Sequence, residues 1–447
     1  MSELQVTITF IVFGAVIVAI AFDLIDMALA SMLGVSVLIV AGIFTREDTI
    51  AVLEKGGGPL ALLFGGMVVA RSLVPTGVFD YVGTKFLRLT KGSGKRYILG
   101  LFMLVAPLCA FLPNATTVIL LAPIIIRVAI ALEVDFVAPM VLTAIISNSA
   151  GLLTLVGDPA TFLIGSSIGL TFVQYLKKVS LGGLLSLLAL VPLMPLVMGH
   201  VWRVRQPLPS PLELKPIQRP VLFVCTMGVL VIMVLLFVFG DRLPLKIVPP
   251  SVAIIAASLA LLAVYGTRVE PVDKVLKDVD WKTLIFIACL FCLVQALSKT
   301  GILGSMSRNL FAWFGTDLLL VGLVMLAFVG LSSSLIANIP VVAAMLLLIK
   351  GYLVVAEIVP EYALGASFRE WPSATIPVFV AMMFGGTLGG NATLIGASAN
   401  VVSAGICAAE GKPIKFATFL RYGVPLTLCQ LALSALYVWV LNILVKR

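Results

Sequence analysis

Four short polar clusters interrupt long apolar stretches of this chain. The first is Leu112-Pro113-Asn114-Ala115-Thr116-Thr117, and the second is Ser332-Ser333-Ser334 with Asn338-Ile339-Pro340 just after it. The third gathers Ser147, Asn148, Thr154, Asp158 and Thr161 around Gly157-Asp158-Pro159. The fourth gathers Thr387, Asn391, Thr393, Ser398 and Asn400 around the run from Gly389-Gly390-Asn391 to Gly396. Gly and Pro interrupt helices. Each break frees N–H groups at one helix start and carbonyls at another helix end, partial charges of opposite sign. A polar or ionic solute can be gripped between such ends. The candidate binding set is therefore Asn114, Thr116, Thr117, Asn148, Thr154, Ser334, Asn338, Asn391, Thr393 and Asn400. The plainer reading of any one of them is a hydrogen bond that glues two helices together. Four clusters at matching places argue for function in the set as a whole.

Asp158 is the acidic residue placed deepest in an apolar stretch. A carboxylate there costs roughly 2.5–3.5 kcal/mol on insertion scales. It is expected to carry the coupling proton, neutral when its cavity is closed and ionised when water reaches it. The plainer reading is a cap on the Gly157–Pro159 turn, and both roles can coexist. Asp23 and Asp26 fall between apolar runs, where solvation in a tight turn is expected. Arg71 and Arg127 lie toward span ends, within snorkelling reach of water. His200 falls in a polar linker. Cys289-Leu290-Phe291-Cys292 lies inside an apolar stretch with no second pair or His, which points to packing. Cys109, five residues before Asn114, reads the same way. The six Cys are scattered and give no disulfide framework. No metal site and no cofactor is expected.

There is no HExxH and no GxSxG. Gly157-Asp158 lacks the features of an intramembrane aspartyl protease: position 155 is Leu and no second deep Asp accompanies it. An enzyme is not expected.

The elements that must position these residues are set by composition. The chain has 447 residues, 61% hydrophobic and 11% charged, with a mean hydropathy of +1.18. A soluble domain is about half apolar and a quarter charged. An all-α integral membrane protein follows, with lipid and not nucleic acid as the partner of its net charge of +9. Apolar spans are read at 4–22, 27–44, 59–75, 138–170, 179–199, 220–240, 250–266, 283–298, 375–409 and 423–445. The stretches 97–132 and 317–350 are too long for one span and read as re-entrant hairpins with polar tips. Spans 138–170 and 375–409 read as helices broken at the midplane. Broken backbone at that depth is tolerated only inside protein or beside a watery cavity.

The two halves repeat. Leu73-x-x-Thr76-Gly77 matches Leu297-x-x-Thr300-Gly301, and Asn114 matches Asn338, both at an offset of 224. Thr154-Leu155-Val156-Gly157 matches Thr393-Leu394-Ile395-Gly396 at 239, and Phe172-x-x-Tyr175-Leu176 matches Phe416-x-x-Phe419-Leu420 at 244. The 15-residue growth falls in the loop around 356–372. Each half then holds five spans and one hairpin. An odd number inverts one half relative to the other, an architecture of secondary transporters. The expected division is an N-terminal repeat 1–199, a cytoplasmic linker 200–219 and a C-terminal repeat 220–447. With both termini outside, cytoplasmic loops hold sixteen Lys and Arg against twelve on the other face. A multi-pass location in the cell membrane is expected, the inner membrane in a Gram-negative cell.

The runs Asn114-Ala115-Thr116-Thr117-Val118-Ile119-Leu120-Leu121-Ala122-Pro123 and Ser147-Asn148-Ser149 through Gly157-Asp158-Pro159 resemble the ion transporter superfamily, as do Ala337-Asn338-Ile339-Pro340 and Gly389-Gly390-Asn391 through Gly396. The branch resembled is that of arsenical efflux permeases (ArsB-type), P proteins and NhaD-type sodium/proton antiporters. The resemblance implies two inverted repeats with hairpins and broken helices, and a homodimer. Relatives of that branch carry Asp before Asn at both hairpin tips, where this chain has Pro113 and Ala337. Fewer carboxylates disfavour a hard-cation site. The resemblance then implies proton-coupled efflux of arsenite and antimonite, with sodium/proton exchange or transport of an organic or inorganic anion as alternatives.

Overall fold

The computed structural model describes residues 2–21, 24–207, 216–364 and 368–446. Asp23 and residues 208–215 of the linker lie outside the described residues. The first half runs α1 Glu3–Ala21, α2 Met27–Val40, α3 Arg46–Leu73, α4 Val78–Thr90, α5 Gly94–Cys109, α6 Asn114–Ala131, α7 Val137–Ala150, α8 Pro159–Ser167 and α9 Phe172–Val197. The second half runs α10 Pro220–Phe239, α11 Pro249–Thr267, α12 Trp281–Lys299, α13 Ile302–Phe314, α14 Leu318–Leu335, α15 Asn338–Val355, α16 Ile376–Gly389, α17 Ser398–Ala409 and α18 Phe416–Lys446. Among the described residues ten helices are long and apolar enough to cross a bilayer. No strand forms among them, only an isolated bridge between Ser93 and Arg205.

Local chemistry sets the helix starts. Asp26 accepts from the N–H groups of Ala28 and Leu29 at the start of α2. Thr45 and Asp48 form a capping box on α3. Asp280 and Asp317 cap α12 and α14. The α5–α6 and α14–α15 pairs are hairpins, with their tips at Ala110–Pro113 and Ile336–Ala337.

Two helices escaped the reading of apolar spans. α4 and α13, 13 residues each, mix charged and apolar residues, so their average hydropathy is low. Phe86 and Leu87 of α4 are buried while Leu89 is exposed. Each helix follows a left-handed glycine, Gly77 and Gly301, both with φ of 76°. A side chain is strained in that region, which explains the Thr-Gly pair in both halves. α3 and α18 extend beyond the expected spans, starting at Arg46 and Phe416.

The helices sort into two packed groups. α3 lies along α11, and α12 lies along α2 and α3. In the other group α14 packs on α16, α6 and α7 on α17, α5 on α7, and α9 on α18. α8 and α15 of this group face α3 and α12 of the first. The polar breaks belong to the second group and point toward its centre.

Candidate functional site

Span 138–170 is α7 and α8, separated by residues 151–158; span 375–409 is α16 and α17, separated by 390–397. The same contacts recur at both breaks. Thr154 Oγ1 donates to the Ala110 carbonyl at one hairpin tip, and Thr393 Oγ1 donates to the Ser334 carbonyl at the other. A Cβ on Gly157 would lie 2.7 Å from the Gly151 carbonyl oxygen, and one on Gly396 would lie 2.6 Å from that of Gly390. Only glycine lets the chain turn back this closely.

The two breaks also bond to each other. Asn148 Nδ2 on α7 donates to Asn400 Oδ1 on α17 at 3.1 Å. Thr161 Oγ1 on α8 lies 3.2 Å from Thr387 Oγ1 on α16. Asn400 also donates to the Gly390 and Thr393 carbonyls at 2.8 and 2.7 Å, holding the end of α16. Asn114 Nδ2 reaches Asn148 Oδ1 at 3.5 Å, while its Oδ1 is buried with no partner among the described residues. Asp158 caps α8 and is buried. Its Oδ2 accepts from the Thr161 N–H at 3.1 Å, the Thr161 hydroxyl at 3.3 Å and the Thr387 hydroxyl at 3.4 Å. Helices α6, α8, α15 and α17 all start at a break or tip, so each break or tip carries a positive helix end.

Asn114, Asn148, Thr154, Asp158 and Asn400 therefore meet around the first break, with Ser334 and Thr393 joined at the second. Three candidates sit otherwise. Asn338 is half-buried, and its Oδ1 accepts from the Ile339 N–H at 3.0 Å. Thr117 is buried and donates to the Pro113 carbonyl of its own helix at 3.2 Å. Asn391 turns away, donating to Ser149 Oγ at 2.9 Å and Gln430 Oε1 at 3.0 Å. Gln430 was not among the candidates. It also donates to Ser149 Oγ at 2.8 Å and the Ser186 carbonyl at 3.1 Å, tying α7, α9 and α18 to the second break. A lone glutamine inside the apolar stretch 423–445 is the signal that could have marked it.

Two cavities approach the breaks from opposite ends of α3. One of about 420 Å³ runs between α8 and α15, from Leu155 and Ala343 to Arg369. The other, of about 590 Å³, follows α6 from Thr116 to Arg127. Arg71 at its rim pairs with Glu270 at 2.9 Å and Asp278 at 2.7 Å, and Arg127 with Asp80 at 3.3 Å. These arginines are ion-paired, beyond the snorkelling expected of them. Asp26 is paired too, with Lys282 at 2.8 Å, whose ammonium holds that carboxyl below its usual range. His200 is exposed beside Tyr422. Among the described residues no group of three or more His, Cys, Asp or Glu is arranged to hold a metal ion.

The geometry is matched by similarity to known transporters. The CitMHS family, described as citrate transporters, matches residues 17–368. An uncharacterized transporter of Synechocystis is 42% identical over 432 residues, covering 96% of this chain and 95% of its own. The human P protein is 28% identical over 524 residues, covering 99% of this chain and 61% of its own. The solved structure of the YdaH transporter of Alcanivorax borkumensis, described as having an unusual topology, shares the fold: TM-score 0.55, 11% identity, 88% of this chain and 87% of that one.

Proposed function

The chain belongs to the CitMHS family of membrane transporters, and from that premise we propose that it is a proton-coupled secondary transporter of a small carboxylate anion of the citrate class. The observation that carries this reading is the meeting of three helix starts at the first break: a Cβ on Gly151 would lie 3.0 Å from Asp158 Cβ and 3.4 Å from Asn114 Nδ2, and Asn148 bonds to both Asn114 and Asn400. Helix N-termini offer N–H groups and a positive end, an anion site that needs no basic side chain, although Asp158 at α8 and Asn338 at α15 already take one N–H each. Asn114 and Asn148 add side-chain amides. Thr116 lines the cavity that leads there.

Residues 1–199 and 220–447 are taken as inverted repeats joined by the linker 200–219, with both termini outside and a homodimer as the assembly. The recurrent contacts at both breaks support the repeat. Inverted repeats let one access path close as the other opens. Asp158 is assigned the coupling proton. Its three donors can hold a carboxylate, and its burial makes the charge depend on whether water reaches it.

A second reading, efflux of arsenite or antimonite, is favoured by a different observation. The side chains at the breaks are amides and hydroxyls with one carboxylate, a surface suited to a neutral polyhydroxy solute. The test is uptake into everted vesicles under an imposed pH gradient, with citrate, arsenite and Na+ compared side by side. Citrate accumulation supports the first reading. Arsenite accumulation alone replaces it with the second, and Na+-driven proton movement alone defeats both.

A further inference from the structure

The cavity of about 420 Å³ between α8 and α15 differs from its opposite number in charge. Among the described residues its basic lining residues are Lys350 and Arg369 and its acidic one is Glu54. The other cavity has Arg71 and Arg127 against Asp80, Asp278 and Asp280. Lys350 is 5% exposed, on α15 about 18 Å beyond the tip residue Asn338 at 1.5 Å per residue. A buried ammonium loses hydration and needs compensation. Its Nζ lies 5.2 Å from the ring of Trp371, a cation–π contact. The Trp371 Nε1 is buried with no hydrogen-bond partner among the described residues. Arg369 lies across the end of α8: a Cβ on Gly169 would meet its Cδ at 2.5 Å.

We infer that this cavity is a capture vestibule for di- and tricarboxylates, in which Lys350 and Arg369 select for negative charge before the solute reaches the breaks. The inference rests on the anionic reading of the substrate above. The cavity volume lies within the ordinary range for small-molecule sites, about 300–1,000 Å³. Its deep end at Leu155 directly follows Thr154, so the path leads to the first break. Arg369 and Trp371 come from the loop that is longer in the second half, and the counterpart of Lys350 at the offset of 224 is Ile126. Among the described lining residues the excess of positive charge is thus found at this cavity and not at the other. A cationic mouth raises the local concentration of an anion and its rate of entry, an effect that salt screens.

The experiment uses the full chain in proteoliposomes and nanodiscs, with Arg369→Gln, Lys350→Gln and the conservative Arg369→Lys. Arg369 is exposed, so its replacement does not threaten folding. Expected for Arg369→Gln is a KM for citrate raised about 5–50-fold with kcat within about twofold, a weaker salt dependence of kcat/KM, and recovery in Arg369→Lys. Unchanged KM and salt dependence in both Gln variants overturns the inference. So does an equal fall in kcat that Arg369→Lys does not rescue. Tryptophan fluorescence in nanodiscs, titrated with citrate and with inorganic phosphate, separates this inference from the transport reading. A saturable change in the wild type that is lost in Trp371→Phe and weakened in Arg369→Gln supports the vestibule even where citrate is not transported. No saturable change with either anion overturns the vestibule, whatever is transported.

Discussion

Asn148 and Asn400 lie 252 positions apart and share an amide-to-amide hydrogen bond of 3.1 Å. The offset of 239 carries Asn148 onto Thr387 and Thr161 onto Asn400. Thr161 and Thr387 are themselves 3.2 Å apart. Each half thus meets the other through the same two helix places, once with amides and once with hydroxyls. A buried amide pair in contact with Asn114 is a polar surface with donors and acceptors to spare.

Asn400→Ala is expected to hurt more than Asn114→Ala. Asn400 satisfies the Gly390 and Thr393 carbonyls as well as Asn148. Its loss leaves the Gly390 carbonyl and the Asn148 amide without that partner, and Thr393 with only the Gly396 N–H at 3.4 Å, at about 1–3 kcal/mol for each unsatisfied group. Thermal unfolding in detergent should show Asn400→Ala well below wild type. Asn114→Ala should keep a near-native melting temperature and lose solute affinity about 5–150-fold. Equal melting temperatures for all three proteins would show that Asn400 is not holding the second break.

Gln430→Leu removes the donors to Ser149 and the Ser186 carbonyl and the acceptor for Asn391. The expected cost is about 2–4 kcal/mol, because a buried network left half-satisfied is worse than none. Gln430→Glu keeps the Asn391 acceptor but loses both donors and buries a carboxyl group, so it should be no more stable than Gln430→Leu. Melting curves of the two variants check the order.

Asp48 lies in α3 before the spanning window that begins at Gly56, and it is 4% exposed. Burial alone would raise its carboxyl. Hydrogen bonds from Lys299, Thr45 and Gln295 outweigh burial and hold it at about 2. The folded value is below the unfolded one, near 3.9, so the carboxylate adds stability above pH ~4, about 2 kcal/mol. That contribution is lost as pH falls toward 2. Asp48→Asn should therefore melt below wild type at pH 7, and the gap should narrow below pH ~4. A gap of constant size across that window would assign the loss to packing.

Much of this was legible in the sequence because the breaks cluster Gly, Pro and polar residues inside otherwise apolar spans. Gly157-Asp158 and the Gly390 to Gly396 run fall between helices, with Pro159 opening α8 and Gly389 closing α16. The matched Thr154 and Thr393 bonds follow the offsets 239 and, for Ala110 and Ser334, 224. What was hidden had a physical cause in each case. α4 and α13 are amphipathic, so averaged hydropathy passes over them. Asn338 is the formal match of Asn114, yet its side chain turns back onto the Ile339 N–H, a conformation that local spacing does not encode. Lys350 is a single cation in an apolar helix, and its place at a cavity and beside Trp371 is set by the fold and not by local spacing.

Asp158 provides the sharpest test of coupling. Its Oδ2 receives the Thr161 N–H and the hydroxyls of Thr161 and Thr387, so both halves contact the same oxygen. Thr387 lies on α16 and Thr161 on α8, and any shift between those helices changes the donors around the carboxylate. Asp158→Asn keeps the size and the cap acceptor of the side chain but cannot release a proton. The variant is expected to fold, to exchange solute for solute, and to lose accumulation driven by a pH gradient. Asp158→Glu should retain partial activity with a displaced pH optimum. Thr387→Ala removes one donor from the second half and leaves the cap intact, so it should shift the pH profile with little change in melting temperature. The assay is concentrative uptake at several pH values, with counterflow measured on the same vesicles. Wild-type accumulation and pH profile in Asp158→Asn would reduce Asp158 to a helix cap. The proton would then need another route, with Asp26, already held by Lys282 at 2.8 Å, as the next group to replace.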